Sequence, residues 1–162
     1  MRHLLILFTL ALCLFSCGST KNKVVTKKRN YSTNKTKADL IVNAAKSYTG
    51  VKYKWGGTTR KGMDCSGLIY ESFKANNIQL PRVSRDMAKR GRPINLKQVK
   101  KGDLLFFKVA KKQNSINHVG LVTNTKNNNI TFIHATSSRG VITSLLSQKY
   151  WENAFYQARR VL

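Results

Sequence analysis

Apolar residues repeat at helical spacing in two stretches of the first half of the chain. The first stretch follows Thr36, which forms a capping-box pattern with Asp39, and it ends at Gly50. Its apolar positions are Leu40, Ile41, Ala44, Ala45 and Tyr48. The second follows Asp64, a residue type favoured at helix N-caps, and runs from Cys65 to about Asn77. Its inward face comprises Cys65, Leu68, Ile69, Ser72 and Phe73, so the pattern predicts two packing helices and a core-facing sulfur.

Short apolar runs in the second half predict the strands of a sheet. A turn over 101–103 leads into the run 104–107, and a hairpin is predicted from 118–124 and 130–136, around Asn127–Asn129. Further predictions are a chain break at 80–82, a short helix over 83–90, a second break at 91–93, a short strand over 141–143, a helical turn over 145–151 and a final strand over 155–162 that closes the sheet. The order of elements indicates an α+β fold, with N-terminal helices packed on a central antiparallel sheet.

Two histidines lie on the strands of the predicted hairpin. His118 and His134 are sixteen residues apart, and side chains alternate between the two faces of a strand. If the residue numbers of paired positions add up to an even number, both imidazoles emerge on one face, directly opposite or diagonal to each other. Under that register the two rings are predicted to lie within contact distance.

The start of the chain has the pattern of an export signal. A short basic segment precedes an apolar run from Leu4 to Phe15 that is too short to span a bilayer, and Ser16 and Cys17 follow. The segment 14–17 resembles the lipobox of bacterial lipoproteins, in which the cysteine is lipid-modified and becomes the new N-terminus. The alternative is ordinary secretion, with Cys17 free or paired.

These features divide the chain into three parts. We expect a signal peptide over 1–16, a lipidated N-terminus and flexible basic tether over 17–36, and one domain over 37–162. Gly18 stands where an aspartate is associated with inner-membrane retention in some bacteria, so the sequence favours the outer membrane.

The charge of the chain is strongly positive. The formal net charge is +24, from 30 Lys plus Arg against 6 Asp plus Glu. The basic residues are spread over tether, loops and helix faces without an aromatic-interleaved stripe, so we expect no nucleic-acid partner. Wall peptides with free carboxylates and anionic lipid head groups are the polyanions that an exported protein meets. For the charge taken alone, solubility and non-specific adhesion are the favoured interpretation.

Cys65 is expected to be the one cysteine without a partner in the mature protein. Of the three cysteines, Cys13 leaves with the signal peptide and Cys17 carries lipid. An unpaired thiol in an exported protein is an oxidation liability unless it is buried or functional. A buried structural thiol is one interpretation, but the polar neighbours Asp64 and Ser66 favour a functional one. Because aligned N–H groups at a helix start favour the thiolate, the pattern predicts a nucleophile.

A cysteine at a helix start and two histidines on a sheet have the composition of a thiol hydrolase site. Cys65 is predicted to attack a carbonyl as a thiolate, with His118 holding the ion pair and later protonating the leaving amine. His134 is predicted to orient His118, and the oxyanion to meet the Cys65 N–H and the Tyr53 hydroxyl. Tyr53 and Trp55 alternate along an extended segment and face one side, although core positions account for either of them as well.

The same three residue types also occur in catalytic zinc sites. The chain has neither a CxxC pair nor an HExxH motif, and a cysteine at a helix start is activated without a metal. We therefore expect no metal and no other cofactor.

Taken together, the motifs resemble those of the NlpC-type family of bacterial cell-wall cysteine peptidases. The matching segments, in the family's order, are YKWGG at 53–57, MDCSGL at 63–68, LPR at 80–82, KGDL at 101–104, HVG at 118–120 and IHA at 133–135. The resemblance implies a circularly permuted papain-like fold over about residues 38–162. It also implies that Cys65, His118 and His134 form a Cys-His-His triad with Tyr53 beside the nucleophile.

The resemblance also points to a substrate groove. Asp64 and Ser66 match groove positions of relatives, and Trp55 and Arg82, which lie in the matching segments, complete the expected substrate-binding set. Met87 stands where many relatives carry a glutamine, a departure that affects the groove rather than the triad.

These observations predict a monomeric, lipid-anchored hydrolase of murein stem peptides in the cell envelope. It would act at the periplasmic face as an outer-membrane lipoprotein, and the resemblance implies cleavage between the side-chain carboxyl of D-glutamate and a diamino acid. Two alternatives stay open. One is a non-catalytic, envelope-anchored module that binds murein, and the other is an amidase or acyltransferase of the same fold.

Overall fold

Helices pack on an antiparallel sheet in the computed structural model, which describes residues 35–109, 114–126 and 129–162. The helices are α1 (Lys37–Lys46), α2 (Cys65–Lys74), α3 (Ser84–Met87) and α4 (Lys149–Ala154), with a 3-10 turn over Leu96–Gln98. The strands are β1 (Thr58–Thr59), β2 (Gly62–Met63), β3 (Arg92–Ile94), β4 (Leu104–Phe107), β5 (His118–Asn124), β6 (Thr131–Thr136), β7 (Gly140–Leu145) and β8 (Phe155–Arg160). None of the helices in these ranges has the length and apolar character needed to cross a membrane. The predicted signal peptide, Cys17 and most of the tether lie outside the described residues.

Helix α1 begins with the predicted capping box. The Thr36 hydroxyl accepts from the Asp39 N–H at 3.2 Å, and the Asp39 carboxylate accepts from the Thr36 N–H at 3.0 Å. The residues that α1 buries are Ile41, Val42 and Ala45. Leu40, which was counted in the apolar stripe, is 44% exposed because the packed face is centred one residue further along.

Helix α2 matches its predicted start and inward face. The Asp64 carboxylate caps it by accepting from the Gly67 N–H at 2.6 Å. The five residues of the predicted inward face are all buried. The helix ends at Lys74, and Asn77 follows in a left-handed conformation with φ of 58°, which agrees with the predicted end.

The six longer strands form one sheet in the order β3-β8-β4-β5-β6-β7, with every neighbouring pair antiparallel. All four residues of β4 are buried because both faces of the sheet are covered. Leu104 and Phe106 join the cluster that contains α1 and α2, whereas Leu105 and Phe107 join a second cluster that contains Trp151. The sheet therefore has a hydrophobic cluster packed against each of its two faces.

Three predictions about the end of the sheet are wrong. The segment predicted as a helical turn over 145–151 is the end of β7 followed by α4, which starts at Lys149. The final strand β8 does not close the sheet, because it lies between β4 and β3. The break predicted at 91–93 contains most of β3, and Pro93 is tolerated there because β3 is an edge strand that need not donate every N–H.

Main-chain hydrogen bonds join β7 to the segment that precedes Tyr53. The Gly50 N–H donates to the Val141 carbonyl and the Val141 N–H donates to the Val51 carbonyl, both at 2.9 Å. Gly140 begins β7 with φ of +67°, and a Cβ atom there would lie 2.2 Å from the Val51 carbonyl oxygen. Only glycine fits this close approach.

Candidate active site

A cleft of about 1280 Å³ brings together nearly all of the predicted site residues. Its lining includes Tyr53, Trp55, Asp64, Cys65, Ser66, Arg82 and His118. His134 is fully buried behind His118. The predicted nucleophile and base therefore line the cleft, while the predicted orienting residue is enclosed in the core.

Cys65 is the first residue of α2 and is 7% exposed. Burial raises the pKa of its thiol to about 11, and the nearby Asp64 charge acts in the same direction. Hydrogen bonding from the backbone of Val119, Ser66 and Cys65 itself lowers this pKa but does not outweigh burial. The expectation of a resting thiolate is therefore corrected: the helix start is present, but desolvation dominates and leaves a neutral thiol in the free site.

The two imidazoles form the contact predicted from strand parity. Leu121 pairs with Ile133 in the β5–β6 ladder, an even sum that sets His118 and His134 diagonally on one face. His118 Nε2 lies 3.0 Å from His134 Nδ1, and the ring planes are 87° apart. The hydrogen bond leaves His118 Nδ1 as the ring nitrogen free to serve another group.

Both imidazoles are neutral at physiological pH. Burial lowers the pKa of His118 to about 4. Burial, the proximity of His118 and the Arg139 charge lower the pKa of His134 to about 3. Each ring therefore carries one N–H and one lone pair, and the direction of the hydrogen bond between them depends on the tautomers.

Cys65 and the histidines approach from opposite faces of the sheet. Cys65 belongs to the cluster on the α1 and α2 face, together with Val119. The histidine rings contact Phe107, Phe132 and Trp151 on the other face. Since His118 is the first residue of β5, its ring and the sulfur meet the same cleft at the end of that strand.

Two residues that the sequence analysis missed complete the site. Trp151 stacks on His118 at 5.3 Å between ring centroids and meets His134 edge-on at 4.6 Å. Ser144 Oγ lies 2.9 Å from His134 Nε2. Strand parity identifies Ser144 once β7 is known to reach Leu145, because Ile142 pairs with His134 and Ser144 is then diagonal to it. The predicted strand over 141–143 ends two residues before β7 does.

Asp64, Ser66 and Arg82 form a connected polar network beside the nucleophile. Arg82 donates from Nη1 to Asp64 Oδ1 at 3.0 Å and from Nη2 to Asp64 Oδ2 at 2.9 Å. Its Nη1 also donates to Ser66 Oγ at 2.8 Å. The Gly56 N–H donates to Asp64 Oδ2 at 2.8 Å. All three side chains line the cleft, but these bonds join them mainly to one another, which indicates that they hold the start of α2 in place.

The two aromatic residues ahead of the nucleophile face the cleft. Trp55 is 86% exposed, so a core position is wrong for it. Tyr53 is half-buried and packs partly against the core cluster. Burial and the nearby Cys65 and Asp64 raise the pKa of Tyr53, so its hydroxyl keeps its proton and can donate a hydrogen bond.

The described residues contain no group of three or more His, Cys, Asp or Glu side chains arranged to hold a metal ion. Cys65 and His118 line one cleft, and His134 contacts His118 from within the core. The arrangement can support nucleophilic attack by sulfur with a histidine as proton acceptor.

Comparison with known proteins identifies relatives of the whole domain. The family model described as the NlpC/P60 family matches residues 50–160. The chain is 37% identical to the probable endopeptidase NlpC of Escherichia coli (strain K12) over 162 residues, which cover 99% of this chain and 100% of that protein. It is 33% identical over 123 residues to the murein DD-endopeptidase MepS/murein LD-carboxypeptidase of the same strain, covering 75% of this chain and 62% of that protein.

Solved structures give the same result for the fold. An NlpC/P60 family protein from Bacillus cereus ATCC 10987 superposes with a TM-score of 0.70 at 30% identity, covering 77% of this chain and 40% of that chain. The predicted α+β, papain-like fold is confirmed by this likeness and by the helices and antiparallel sheet of the domain.

Proposed function

Because the chain belongs to the NlpC/P60 family, we propose that it hydrolyses peptide bonds of murein stem peptides with Cys65 as the nucleophile, His118 as the base and His134 as the orienting residue. The observation that carries this proposal is the hydrogen bond between His118 and His134 at the end of β5, next to Cys65 in the same cleft. Relatives named as a probable endopeptidase and as a murein DD-endopeptidase support a cell-wall peptidase.

The first half of the reaction forms an acyl-enzyme. The Cys65 sulfur attacks the carbonyl carbon of the substrate while its proton passes to His118 Nδ1, because both groups are neutral in the free site. The Cys65 N–H and the Tyr53 hydroxyl stabilise the oxyanion. When the C–N bond breaks, the His118 imidazolium gives its proton to the leaving amine, and a thioester remains on Cys65.

The second half releases the acyl group. Water gives a proton to His118 Nδ1 and attacks the thioester carbonyl. The carbon–sulfur bond breaks, the product leaves as a carboxylic acid, and the proton on His118 returns to the sulfur. His134 keeps the His118 ring oriented throughout, through the 3.0 Å hydrogen bond.

The bond that we propose is the one between the side-chain carboxyl of D-glutamate and the diamino acid, as the family resemblance implies. The DD-endopeptidase relative offers a second class of bond. Mass spectrometry of the fragments from a sacculus digest distinguishes them, because each bond leaves different peptide ends.

The test of the function is digestion of purified sacculi by the mature protein and its variants. We expect Cys65→Ala to abolish fragment release, His118→Ala to lower kcat by about a thousandfold or more, and His134→Ala to lower it less, because an orienting group is partly replaceable. Thr59→Ala, at an exposed position that is not among the described residues lining the cleft, is the control and should retain full activity. Release of fragments by Cys65→Ala would falsify the assignment.

We also propose that Cys17 carries a lipid that anchors the enzyme in the outer membrane. Radioactive fatty acid should label the unaltered protein, and Cys17→Ser should lose the label and appear in the soluble fraction. Cys65→Ser is the matched control and should stay labelled. An unlabelled protein that is nevertheless exported indicates ordinary secretion, and recovery with the inner membrane contradicts the proposed location.

A non-catalytic murein-binding module is the second candidate. The observations that favour it are the neutral Cys65 thiol and the net charge of +24, which suits a polyanionic wall. Salt-sensitive binding to sacculi without any released fragment supports this candidate over hydrolysis. An amidase or acyltransferase of the same fold is recognised by the masses of its products.

A further inference from the structure

The chain of buried hydrogen bonds behind the nucleophile ends on a hydroxyl group. His118 Nε2 is 3.0 Å from His134 Nδ1, and His134 Nε2 is 2.9 Å from Ser144 Oγ. Ser144 is 5% exposed and is not among the described residues that line the cleft. Its hydrogen-bond connection to the cleft therefore runs through His134.

The direction of these hydrogen bonds decides whether His118 can act as a base. If His134 Nε2 carries the proton and donates to Ser144, His134 Nδ1 is a lone pair that accepts from His118 Nε2–H. His118 Nδ1 is then unprotonated and can take the proton of Cys65. If the hydrogen bonds run in the opposite direction, from Ser144 through His134 to His118, His118 Nδ1 already carries a proton and cannot accept another.

We propose that Ser144 is a positioning residue that accepts from His134 Nε2–H and thereby holds both imidazoles in the tautomers from which His118 Nδ1 can accept the Cys65 proton. This inference rests on the proposed peptidase function. Ser144 on β7 thereby joins Cys65, His118 and His134 as a fourth functional side chain.

The surroundings of His134 explain why this hydroxyl matters. The ring is fully buried, with Phe132 at 4.7 Å and Trp151 at 4.6 Å between centroids, and neither offers an acceptor for the ring N–H. Ser144 Oγ is the partner of His134 Nε2 among the described hydrogen bonds. Without it, the competent tautomer has a buried N–H with no acceptor and is disfavoured.

The test compares two variants of nearly equal shape. Ser144→Thr keeps the hydroxyl and Ser144→Val replaces it with a methyl group, and both residues suit a strand. We expect Ser144→Val to lower kcat about tenfold with KM unchanged, which corresponds to about 1.4 kcal/mol of lost stabilisation. Ser144→Thr should keep kcat within about threefold. Equal loss in both variants, or full kcat in a folded Ser144→Val protein, overturns the proposal.

A spectroscopic measurement on the unaltered protein keeps the inference testable if a variant fails to fold. The nitrogen chemical shifts of histidine distinguish a protonated from an unprotonated ring nitrogen. We expect His134 to be protonated at Nε2 and His118 at Nε2, with both Nδ1 atoms unprotonated. If the opposite tautomers are observed, the inference about Ser144 is wrong even if the enzyme is active. If the expected tautomers are observed but the protein releases no murein fragments, only the proposed function is wrong.

Discussion

At the scale of single residues, two opposing influences act on the proton of Cys65. The start of α2 and the neighbouring backbone N–H groups favour the thiolate, whereas burial favours the thiol and prevails. The sequence identifies Cys65 and its N-cap Asp64, because both follow from local pattern. It does not reveal how deeply the sulfur is buried, since burial depends on β5 and on the cleft residues that pack around it. The role of Cys65 as nucleophile stays a prediction, whereas burial favours a neutral resting thiol over the expected thiolate.

The neutral thiol leads to a prediction about chemical reactivity. A thiol with a pKa of about 11 exposes little thiolate at pH 7, so alkylation of Cys65 by iodoacetamide should accelerate steadily from pH 7 to pH 10. Mass spectrometry of the modified protein follows the rate, with the same thiol in denaturant as the reference for an accessible sulfur. A rate that is high and constant between pH 5 and pH 8 indicates a resting ion pair and contradicts the prediction.

At the scale of elements, features set by neighbouring residues were predicted more accurately than the order of the strands in the sheet. The capping residues Thr36 and Asp64 and the parity of the two histidines are properties of neighbouring positions, and the structure agrees with each. The edge strand β3 and the interior place of β8 depend on pairing between distant segments, which the pattern of apolar residues does not encode. Ser144 was missed for the related reason that the length of β7 is set by its partner β6.

The network around the start of α2 gives a prediction at this scale. Arg82→Met removes a bidentate partner from Asp64, which is 8% exposed, so we expect a loss of about 1–3 kcal/mol in the free energy of unfolding. Because Asp64 caps the helix that carries Cys65, kcat should also fall several-fold.

The matched control breaks an exposed ion pair with the same replacement. Lys89→Met separates Lys89 from Asp86, whose side chains are 73% and 44% exposed, and should cost no more than about 0.5 kcal/mol. Chemical denaturation measures both variants. If the two variants lose the same free energy of unfolding, the Arg82 network stabilises the domain no more than an exposed ion pair does.

At the scale of the whole molecule, the site affects the pH range in which the domain is stable. Four of the six carboxylates are in ion pairs within the described part of the chain, those of Asp39, Asp64, Asp86 and Asp103, so the charge of 30 Lys plus Arg is only partly balanced within the fold. The composition alone established this excess of charge. The buried neutral histidines make the stability of the domain depend on pH. Composition does not predict this effect, because it does not tell which histidines are buried.

The stability of the domain should therefore fall in mild acid. Folding lowers the pKa values of His118 and His134 from 6.5 to about 4 and about 3, so the unfolded chain binds more protons below pH 6.5. The contribution of the neutral rings is fully present above pH 6.5 and is lost as the pH falls towards 3. The melting temperature should decrease over that window, and less so for His134→Asn.

Asp39 provides a comparison for the effect of the histidines on acid stability. Its pKa is lowered from 3.8 to about 2, mainly by its hydrogen bond with Lys101, so its contribution is lost only below about pH 4. Asp39→Asn should therefore leave the decline between pH 6.5 and pH 4 unchanged. A melting temperature that is constant from pH 7 to pH 4 contradicts the assignment of buried, neutral imidazoles.

The main-chain bonds between Val141 and the segment 50–51 have a consequence for the diversification of this enzyme. They tie the strand that follows the loop 137–139 to the stretch leading into Tyr53, so backbone atoms fix the spacing between two walls of the cleft. Replacement of exposed lining residues such as Arg85 or Arg139 changes the chemistry of those walls and leaves their separation intact. New ligand preferences can therefore arise by point substitution while the backbone of the cleft walls stays unchanged. A substitution at Gly140 would instead displace that backbone.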